Sequence, residues 1–176
     1  MAVSFRDDGI PEYREGLVVR FYPRRSDAWV GNFLGGPTGC NAVLEHPNGN
    51  DVIVVARGEA SVVDPENRAI RHRLAAGVEQ VIELPSLEAI LLRGLTDFTA
   101  IKADDTGWHS PRISWDGMRK IKVNGTQLFG EAYTPIGDAW VPFTLDLLTG
   151  GCLDGVYAKD MGRAVRIVAR GSADDT

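Results

Sequence analysis

The segment "GWHSPRISWDGMRKI", residues 107–121, gathers residue types that often bind ligands into one short stretch. An indole beside a guanidinium suits planar or anionic ligands, because a guanidinium stacks on aromatic faces and pairs with anionic oxygens. The candidate ligand- or partner-binding residues in this segment are Trp108, His109 and Arg112. They predict a shallow binding surface at one end of a sheet.

The same segment has an architectural interpretation, which we favour. Strand alternation places Trp115 on one face, and Trp108 and Arg112 on the other. The pair Asp116-Gly117 suits a two-residue turn, after which "MRKIKV" returns as a second strand with its lysines toward solvent. On this interpretation the segment is two strands and a turn, with Trp115 packed in a core.

A second group of candidate binding residues lies in the predicted strand "AIRHRL", where Arg71 and Arg73 point to the same side. The preceding arginines, Arg20, Arg24 and Arg25, belong to another predicted strand and its turn. Two such strands side by side would form a patch for an acidic partner. A solvated strand face is the commoner explanation of this pattern.

Sequence motifs for catalysis, metal binding and phosphate binding are missing from the 176 residues. The three histidines, His46, His72 and His109, do not have metal-ligand spacing. There is no G-x-S-x-G nucleophile motif, and "LGGPTG" lacks the lysine of a phosphate-binding loop. We therefore expect no catalytic residue, no metal and no cofactor. Convergence of the histidines in space, or an acid–base pair across strands, stays open as an alternative.

Composition and charge narrow the class of protein. The net charge is −5, from 19 basic and 24 acidic residues, which argues against nucleic acid as a partner. No apolar run reaches the ~20 residues needed to cross a bilayer, and "MAVSFRDDG" lacks the apolar segment of a signal peptide. With only two cysteines, Cys40 and Cys152, we expect free thiols, a cytoplasmic location and no membrane partner.

Period-two alternation dominates the chain and predicts strands almost throughout. Residues 64–67, "DPEN", fit a type I turn, and Asn124-Gly125 fits a two-residue hairpin turn. The glycine-rich segment 34–50 is expected to be a loop. The sequence thus predicts one all-β domain of antiparallel meanders over residues 1–170, followed by a disordered tail, 171–176.

Three strand-turn-strand segments share alternating apolar residues followed by a polar turn: "ASVVDPENRAI", "TAIKADDTGWH" and "FTLDLLTGGCL". Aligned on Asn67, Thr106 and Thr149, they are spaced by 39 and 43 residues. The segment "VRFYPRRSDAW", aligned on Ser26, adds a fourth unit 41 residues upstream. A period of about 40–45 residues with four strands per unit is typical of a β-propeller blade.

These units resemble blades of the quinoprotein and WD-type propeller families, in which an acidic-Thr-Gly hairpin recurs. The chain departs from both families: its single Trp-Asp pair, Trp115-Asp116, has no Gly-His pair upstream, and the tryptophan docking pattern does not recur. The resemblance implies blade-like repeats in a partial or small propeller. A β-sandwich and an open barrel are the alternatives. The stretch "RISWDGMRKIKVNGTQLFGEAY" also resembles bacterial sequences, a resemblance that implies no function.

Three functions remain open at this point. The leading hypothesis is a non-catalytic binding or interaction module, such as an adaptor or an antidote to a partner protein. The second is a small-molecule-binding protein or enzyme with a site around Trp108–Arg112. The third is a self-assembling structural component, whose open sheet edges pair across a homodimer.

Overall fold

The computed structural model describes residues 2–5, 16–155 and 165–167, which form an all-β structure with one 3₁₀ turn, Pro85–Leu87. The described strands form four sheets. Their bounds are β1 (Ala2–Phe5), β2 (Leu17–Phe21), β3 (Trp29–Phe33), β4 (Ala42–Glu45), β5 (Val52–Ala56), β6 (Glu59–Asp64), β7 (Ala69–Ala75), β8 (Gln80–Leu84), β9 (Ala89–Arg93), β10 (Phe98–Lys102), β11 (Gly107–His109), β12 (Met118–Asn124), β13 (Gln127–Thr134), β14 (Ala139–Asp146), β15 (Cys152–Asp154) and β16 (Val165–Ile167).

The chain divides into two compact units. Unit 1 comprises Met1–Val81 and Leu92–Gly94, and unit 2 comprises Ile82–Leu91 and Leu95–Thr176. The single domain over residues 1–170 stays a prediction. The predicted tail, 171–176, lies outside the described residues.

Unit 1 holds two sheets. In the first, β2 and β3 form an antiparallel hairpin and β1 pairs in parallel with the other edge of β3. In the second, β4 to β7 follow one another as an antiparallel meander. The prediction of a loop over 34–50 is wrong for Ala42–Glu45, because these residues pair with the apolar strand β5 despite the glycines around them.

Aromatic rings dominate the core of the first sheet. Strand β3 buries Trp29, Gly31 and Phe33 on one face, as period-two alternation requires. Phe21 stacks on Trp29 with ring centroids 4.3 Å apart, and the indole N–H of Trp29 donates to the carbonyl oxygen of Pro65 at 2.8 Å. The buried cluster is Val19, Phe21, Trp29, Phe33, Val54, Ala56 and Val63.

Unit 2 contains most of the third sheet and all of the fourth. In the third, β8 to β11 lie side by side in chain order, and β16 pairs antiparallel with β11. In the fourth, β12 to β15 form an antiparallel meander. The predicted β12–β13 hairpin is confirmed, with its loop one residue later: Asn124 pairs with Gln127, and Gly125 takes the positive φ of 58°.

An apolar cluster forms the core of unit 2 among the described residues. It joins strands of both sheets of this unit, and its largest members include Phe98, Trp108 and Phe143. The buried residues of the cluster are Leu84, Ala89, Leu91, Phe98, Ala100, Trp108, Ile113, Met118, Leu128, Ala132, Phe143, Leu145 and Leu147. None of the helical turns in the described residues is long and apolar enough to cross a bilayer.

The three repeated segments occupy equivalent places in their sheets. They form the hairpins β6–β7, β10–β11 and β14–β15, each the third and fourth strands of a row of four in chain order. Such a row is the strand order of a propeller blade, so the expected all-β chain of meanders with blade-like repeats is confirmed. The unit aligned on Ser26 is the β2–β3 hairpin, whose described sheet is completed differently, by the parallel strand β1.

Candidate functional site

The structure corrects the expected position of Trp108. Its side chain is buried in the core of unit 2 (3% exposed), and its indole N–H donates to the carbonyl oxygen of Leu147 at 3.0 Å. Gly150 lies against the ring, where an added Cβ would approach Trp108 Cε3 to 2.4 Å. Trp108 therefore does not line a shallow binding surface, because strand β11 directs it toward the apolar cluster.

Trp115 also lies opposite to its expected position. It is 53% exposed, whereas the alternation pattern predicts that it packs a core. The reason is that β11 ends at His109 and β12 begins only at Met118, so strand alternation does not extend across the segment between them. Nor is Asp116-Gly117 a hairpin turn between paired strands, because β11 pairs with β10 whereas β12 pairs with β13.

The side chains of Arg112 and His109 both contact other residues of unit 2. Arg112 donates from Nε to the carbonyl oxygen of Ser114 at 2.9 Å and from Nη2 to that of Trp115 at 2.6 Å, with its guanidinium 5.2 Å from the Trp115 ring centroid. His109 is exposed, and its Nδ1 lies 2.8 Å from Thr99 Oγ1 across the strand pair. Ligand binding by His109 and Arg112 stays a prediction.

Arg71 and Arg73 are both exposed on β7, as the alternation predicts. Arg71 pairs with two carboxylates, through its Nε at 3.2 Å from Asp51 Oδ1 and its Nη2 at 3.4 Å from Asp64 Oδ2. These contacts place Arg71 in a cleft of unit 1. A partner for Arg71 and Arg73 on a solvated patch stays a prediction.

The cleft opens where three connections of unit 1 meet: the β2–β3 loop, the β4–β5 loop and the β6–β7 turn. The last two lie together because alternate connections of an antiparallel meander fall at the same edge. Its volume is about 430 Å³. We call it the loop-end cleft, and its lining is Tyr22, Pro23, Arg24, Arg25, Glu45, Gly49, Asn50, Asp51, Val52, Asp64, Pro65, Glu66, Asn67 and Arg71.

Asp51 is the most buried acid of the cleft, at 3% exposed. Asn48 Nδ2 donates to its Oδ2 at 2.8 Å, while Arg71 Nε pairs with its Oδ1. Asn48 Oδ1 accepts the backbone N–H groups of Asn50 and Asp51, at 2.9 and 3.0 Å. Both carboxylate oxygens of Asp51 are therefore paired inside the protein, as a buried charge requires.

Asp64 closes the β6–β7 turn. Its Oδ1 accepts the backbone N–H groups of Glu66 and Asn67 at 2.9 and 3.0 Å, and its Oδ2 accepts Asn67 Nδ2 at 2.8 Å. Partial burial acts to raise the pKa of Asp64, but these hydrogen bonds and the Arg71 charge together lower it below its ordinary value. Asp64 is therefore ionised at neutral pH and forms an ion pair with Arg71.

Glu66 fixes the rim of the cleft. Its Oε1 accepts the backbone N–H of Arg24 at 2.6 Å and of Arg25 at 3.0 Å, and its Oε2 accepts Ser26 Oγ at 3.2 Å. The β2–β3 loop is thereby tied to the β6–β7 turn. The backbone from which the two arginine side chains project is held in place.

The rim itself is exposed and carries cationic and aromatic side chains. Tyr22 is 73% exposed, and the Arg20 guanidinium lies 5.3 Å from its ring centroid. Arg24 and Arg25 are exposed, and Arg24 Nη2 makes one long contact, 3.4 Å, with the carbonyl oxygen of Gly49. The arrangement can offer guanidinium donors and an aromatic face to a ligand.

Other chemistry has weaker support among the described residues. No group of three or more His, Cys, Asp or Glu side chains in them is placed to hold a metal ion. Cys40 and Cys152 are free thiols. Burial raises the pKa of Cys40 against the charge of Arg93, and burial with the Asp154 charge raises that of Cys152. Both thiols are therefore weak nucleophiles at neutral pH.

Sequence reasoning identifies Arg71 as a candidate but not the acids around it. Asp64 and Glu66 carry a local signal, since their segment is recognisable as a turn, yet the turn signal says nothing of the loops it contacts. Asp51 follows a Pro-Asn-Gly-Asn run, which also predicts a turn but does not identify the loops that the turn contacts. The cleft is a product of tertiary structure.

Comparison with known proteins does not place the chain in a family. No protein-family model matches it, and no curated protein matches it. Among solved structures, Kuenenia stuttgartiensis hydrazine synthase aligns with a TM-score of 0.29 and 10% sequence identity, over 82% of this chain and 53% of that chain. This chain thus spans about half the length of that one, and so distant a likeness shows neither its fold nor its function.

Proposed function

We propose that this chain is a non-catalytic binding module that holds a partner protein at the loop-end cleft. The observation that supports this most directly is that the acidic groups of the cleft are paired within the protein, whereas its arginine guanidiniums are exposed. The acids that we call the floor of the cleft, Asp51 and Asp64, are paired with donors of the protein itself. The guanidiniums of its rim are exposed.

The floor of the cleft suits scaffolding better than proton transfer. A general acid or base needs a pKa near the working pH and an accessible lone pair. Asp64 has a lowered pKa and accepts hydrogen bonds at both oxygens, and Asp51 is also paired at both. These two carboxylates therefore anchor Arg71 and the adjoining turns, which favours binding over acid–base catalysis.

The rim of the cleft suits recognition. Tyr and Arg are enriched among the residues that contribute most to protein–protein affinity. Here they project from a loop whose backbone N–H groups are held by Glu66. A loop that is already ordered loses less conformational entropy on binding, so a modest contact area can give useful affinity.

The finer form of the proposal concerns architecture and location. We infer that the four-stranded rows are blades of the quinoprotein or WD type, with the cleft at a loop end, where binding residues of many folds are found. We also place the binding in the cytoplasm. The free thiols and the two-cysteine composition support that location.

The proposal is tested by placing a photo-crosslinking amino acid at position 22 of the full chain, expressed in its host. A crosslinked polypeptide is expected from this position, and it should disappear when unmodified chain competes or when Arg24 and Arg25 are both changed to Gln. The matched control carries the crosslinker at position 140, where Trp140 is 37% exposed in unit 2. The same adducts from both positions, or none from position 22, would contradict a partner at the cleft.

A further inference from the structure

We infer that the loop-end cleft recognises a short acidic segment of the partner, with its carboxylates bound by Arg24 and Arg25. This inference rests on the proposed function and specifies its chemistry. It follows from which hydrogen-bonding groups of the cleft are already used and which are open to a ligand.

The acceptors of the cleft are largely used. Asp51, Asp64 and Glu66 each accept hydrogen bonds or ion pairs at both carboxylate oxygens. A ligand that needs acceptors, such as a lysine side chain, would have to displace donors that also hold the turns together. Glu45 is the further acid of the lining, and it is exposed.

The donors of the cleft have spare capacity. A guanidinium has five N–H groups, and the described contact of the Arg24 guanidinium is the long one to the carbonyl oxygen of Gly49. For Arg25 the described contact is made by its backbone N–H, which leaves its guanidinium to solvent. Both arginines line the cleft from a loop whose backbone is held by Glu66, and a guanidinium matches the planar, two-oxygen geometry of a carboxylate.

Charge limits the size of the ligand. The lining has three arginines against four acidic residues, and the whole chain has a net charge of −5. A long polyanion such as nucleic acid would be repelled by this field. A ligand with one or two carboxylates can reach the exposed arginines without that repulsion. An apolar group next to its carboxylates can pack on Tyr22.

The experiment uses the full chain labelled with ¹⁵N and two synthetic probes, Ac-Gly-Glu-Glu-Gly-amide and its neutral isostere Ac-Gly-Gln-Gln-Gly-amide. The glutamate probe is expected to shift the backbone amide signals of residues 24 and 25, which every variant retains, and in the parent chain the Nε–Hε signals of Arg24 and Arg25 as well, all saturably. The glutamine probe is expected to bind at least about tenfold more weakly, because charge-assisted hydrogen bonds are roughly twice as strong as neutral ones.

Variants separate guanidinium geometry from charge. Changing both residues to Lys keeps the charge and should weaken the glutamate probe by about tenfold, because an ammonium cannot pair bidentately. Changing both to Gln should abolish binding. Arg119→Lys is the matched control, because Arg119 is an exposed arginine of unit 2 already paired with Glu131 at 2.7 Å. It should leave the affinity unchanged.

Equal binding of the two probes, or glutamate binding that survives the double Gln change, would overturn the inference. So would the absence of any shift. If the crosslink from position 22 persists while the glutamate probe fails, the cleft binds a partner by other chemistry and only this inference falls. If both fail, the proposed function falls with it.

Discussion

The segment 107–121 and the loop-end cleft both carry aromatic and arginine side chains, but the fold treats them in opposite ways. In the segment, residues that are neighbours in sequence separate: Trp108 is buried and Trp115 is exposed. In the cleft, residues from three separate connections line one cavity together with Arg71. A short stretch of sequence rich in aromatic and arginine residues is therefore a weaker guide to a binding site than a place where several turns meet in the fold.

Hydrogen bonding explains the difference. In the segment, Arg112 donates to carbonyl oxygens only two and three residues away, so its polar capacity is used locally. In the cleft, Glu66 binds backbone groups of Arg24 and Arg25 across more than forty residues of chain. Long-range ties of this kind fix loops relative to one another, which is the condition for a preformed binding surface.

The largest effect that would test the comparison comes from Trp108. Changing Trp108 to Ala removes a buried ring and an indole hydrogen bond, and should lower the free energy of unfolding by about 3–5 kcal/mol. Urea denaturation followed by circular dichroism measures it. Trp115→Ala is the matched control and should cost no more than about 1 kcal/mol, because that ring is 53% exposed. A reversed order would mean that the segment faces the other way.

A smaller loss is expected from Arg71. Arg71→Ala leaves the buried Asp51 carboxylate with one fewer donor, which should cost about 1–3 kcal/mol, discounted because the Arg71 side chain is 47% exposed. Arg25→Ala, in the same cleft, should change the free energy of unfolding by no more than about 0.5 kcal/mol. Equal effects from the two changes, measured by the same denaturation, would remove the distinction between floor and rim.

Much of the fold follows from the sequence. Period-two alternation and the turn signals predict the strands, and the repeat aligned on Asn67, Thr106 and Thr149 predicts three equivalent hairpins. Both signals are local, since they depend on side-chain spacing and backbone φ preferences. The same locality explains the errors: β4 forms because β5 offers a pairing edge, and alternation fails after His109 because β11 ends there.

The candidate site is less accessible to sequence reasoning. Arg71 is identified by its place on an alternating strand, but its pairing with Asp51 and Asp64 depends on how two connections of the meander meet. Trp108 illustrates the opposite error, in which a residue type suited to binding is used for packing. A turn that begins with an acid and leads into an arginine-rich strand, as at residues 64–73, is the signal worth following in such chains.

The acid dependence of stability tests the floor of the cleft more finely. Because the folded pKa of Asp64 is lowered, its contribution is fully present above the unfolded value of about 3.9 and is lost as pH falls through the folded value. Asp64→Asn should therefore cost about 1–2 kcal/mol at pH 7, with the difference from the parent chain shrinking toward pH 3. Denaturation midpoints measured across that range would contradict the assignment if the difference were constant.

The smallest effect concerns Arg112 and decides whether the segment 107–121 retains any claim as a site. Arg112→Ala removes two donors from the carbonyl oxygens of Ser114 and Trp115, and should cost about 0.5–1.5 kcal/mol. Arg112→Lys keeps a cation near the Trp115 ring and should recover part of that loss. A variant with unchanged stability would show that these bonds are not needed by the fold, which would return Arg112 to the candidate binding residues. A loss within the expected range marks it as structural and leaves the loop-end cleft as the surface to pursue.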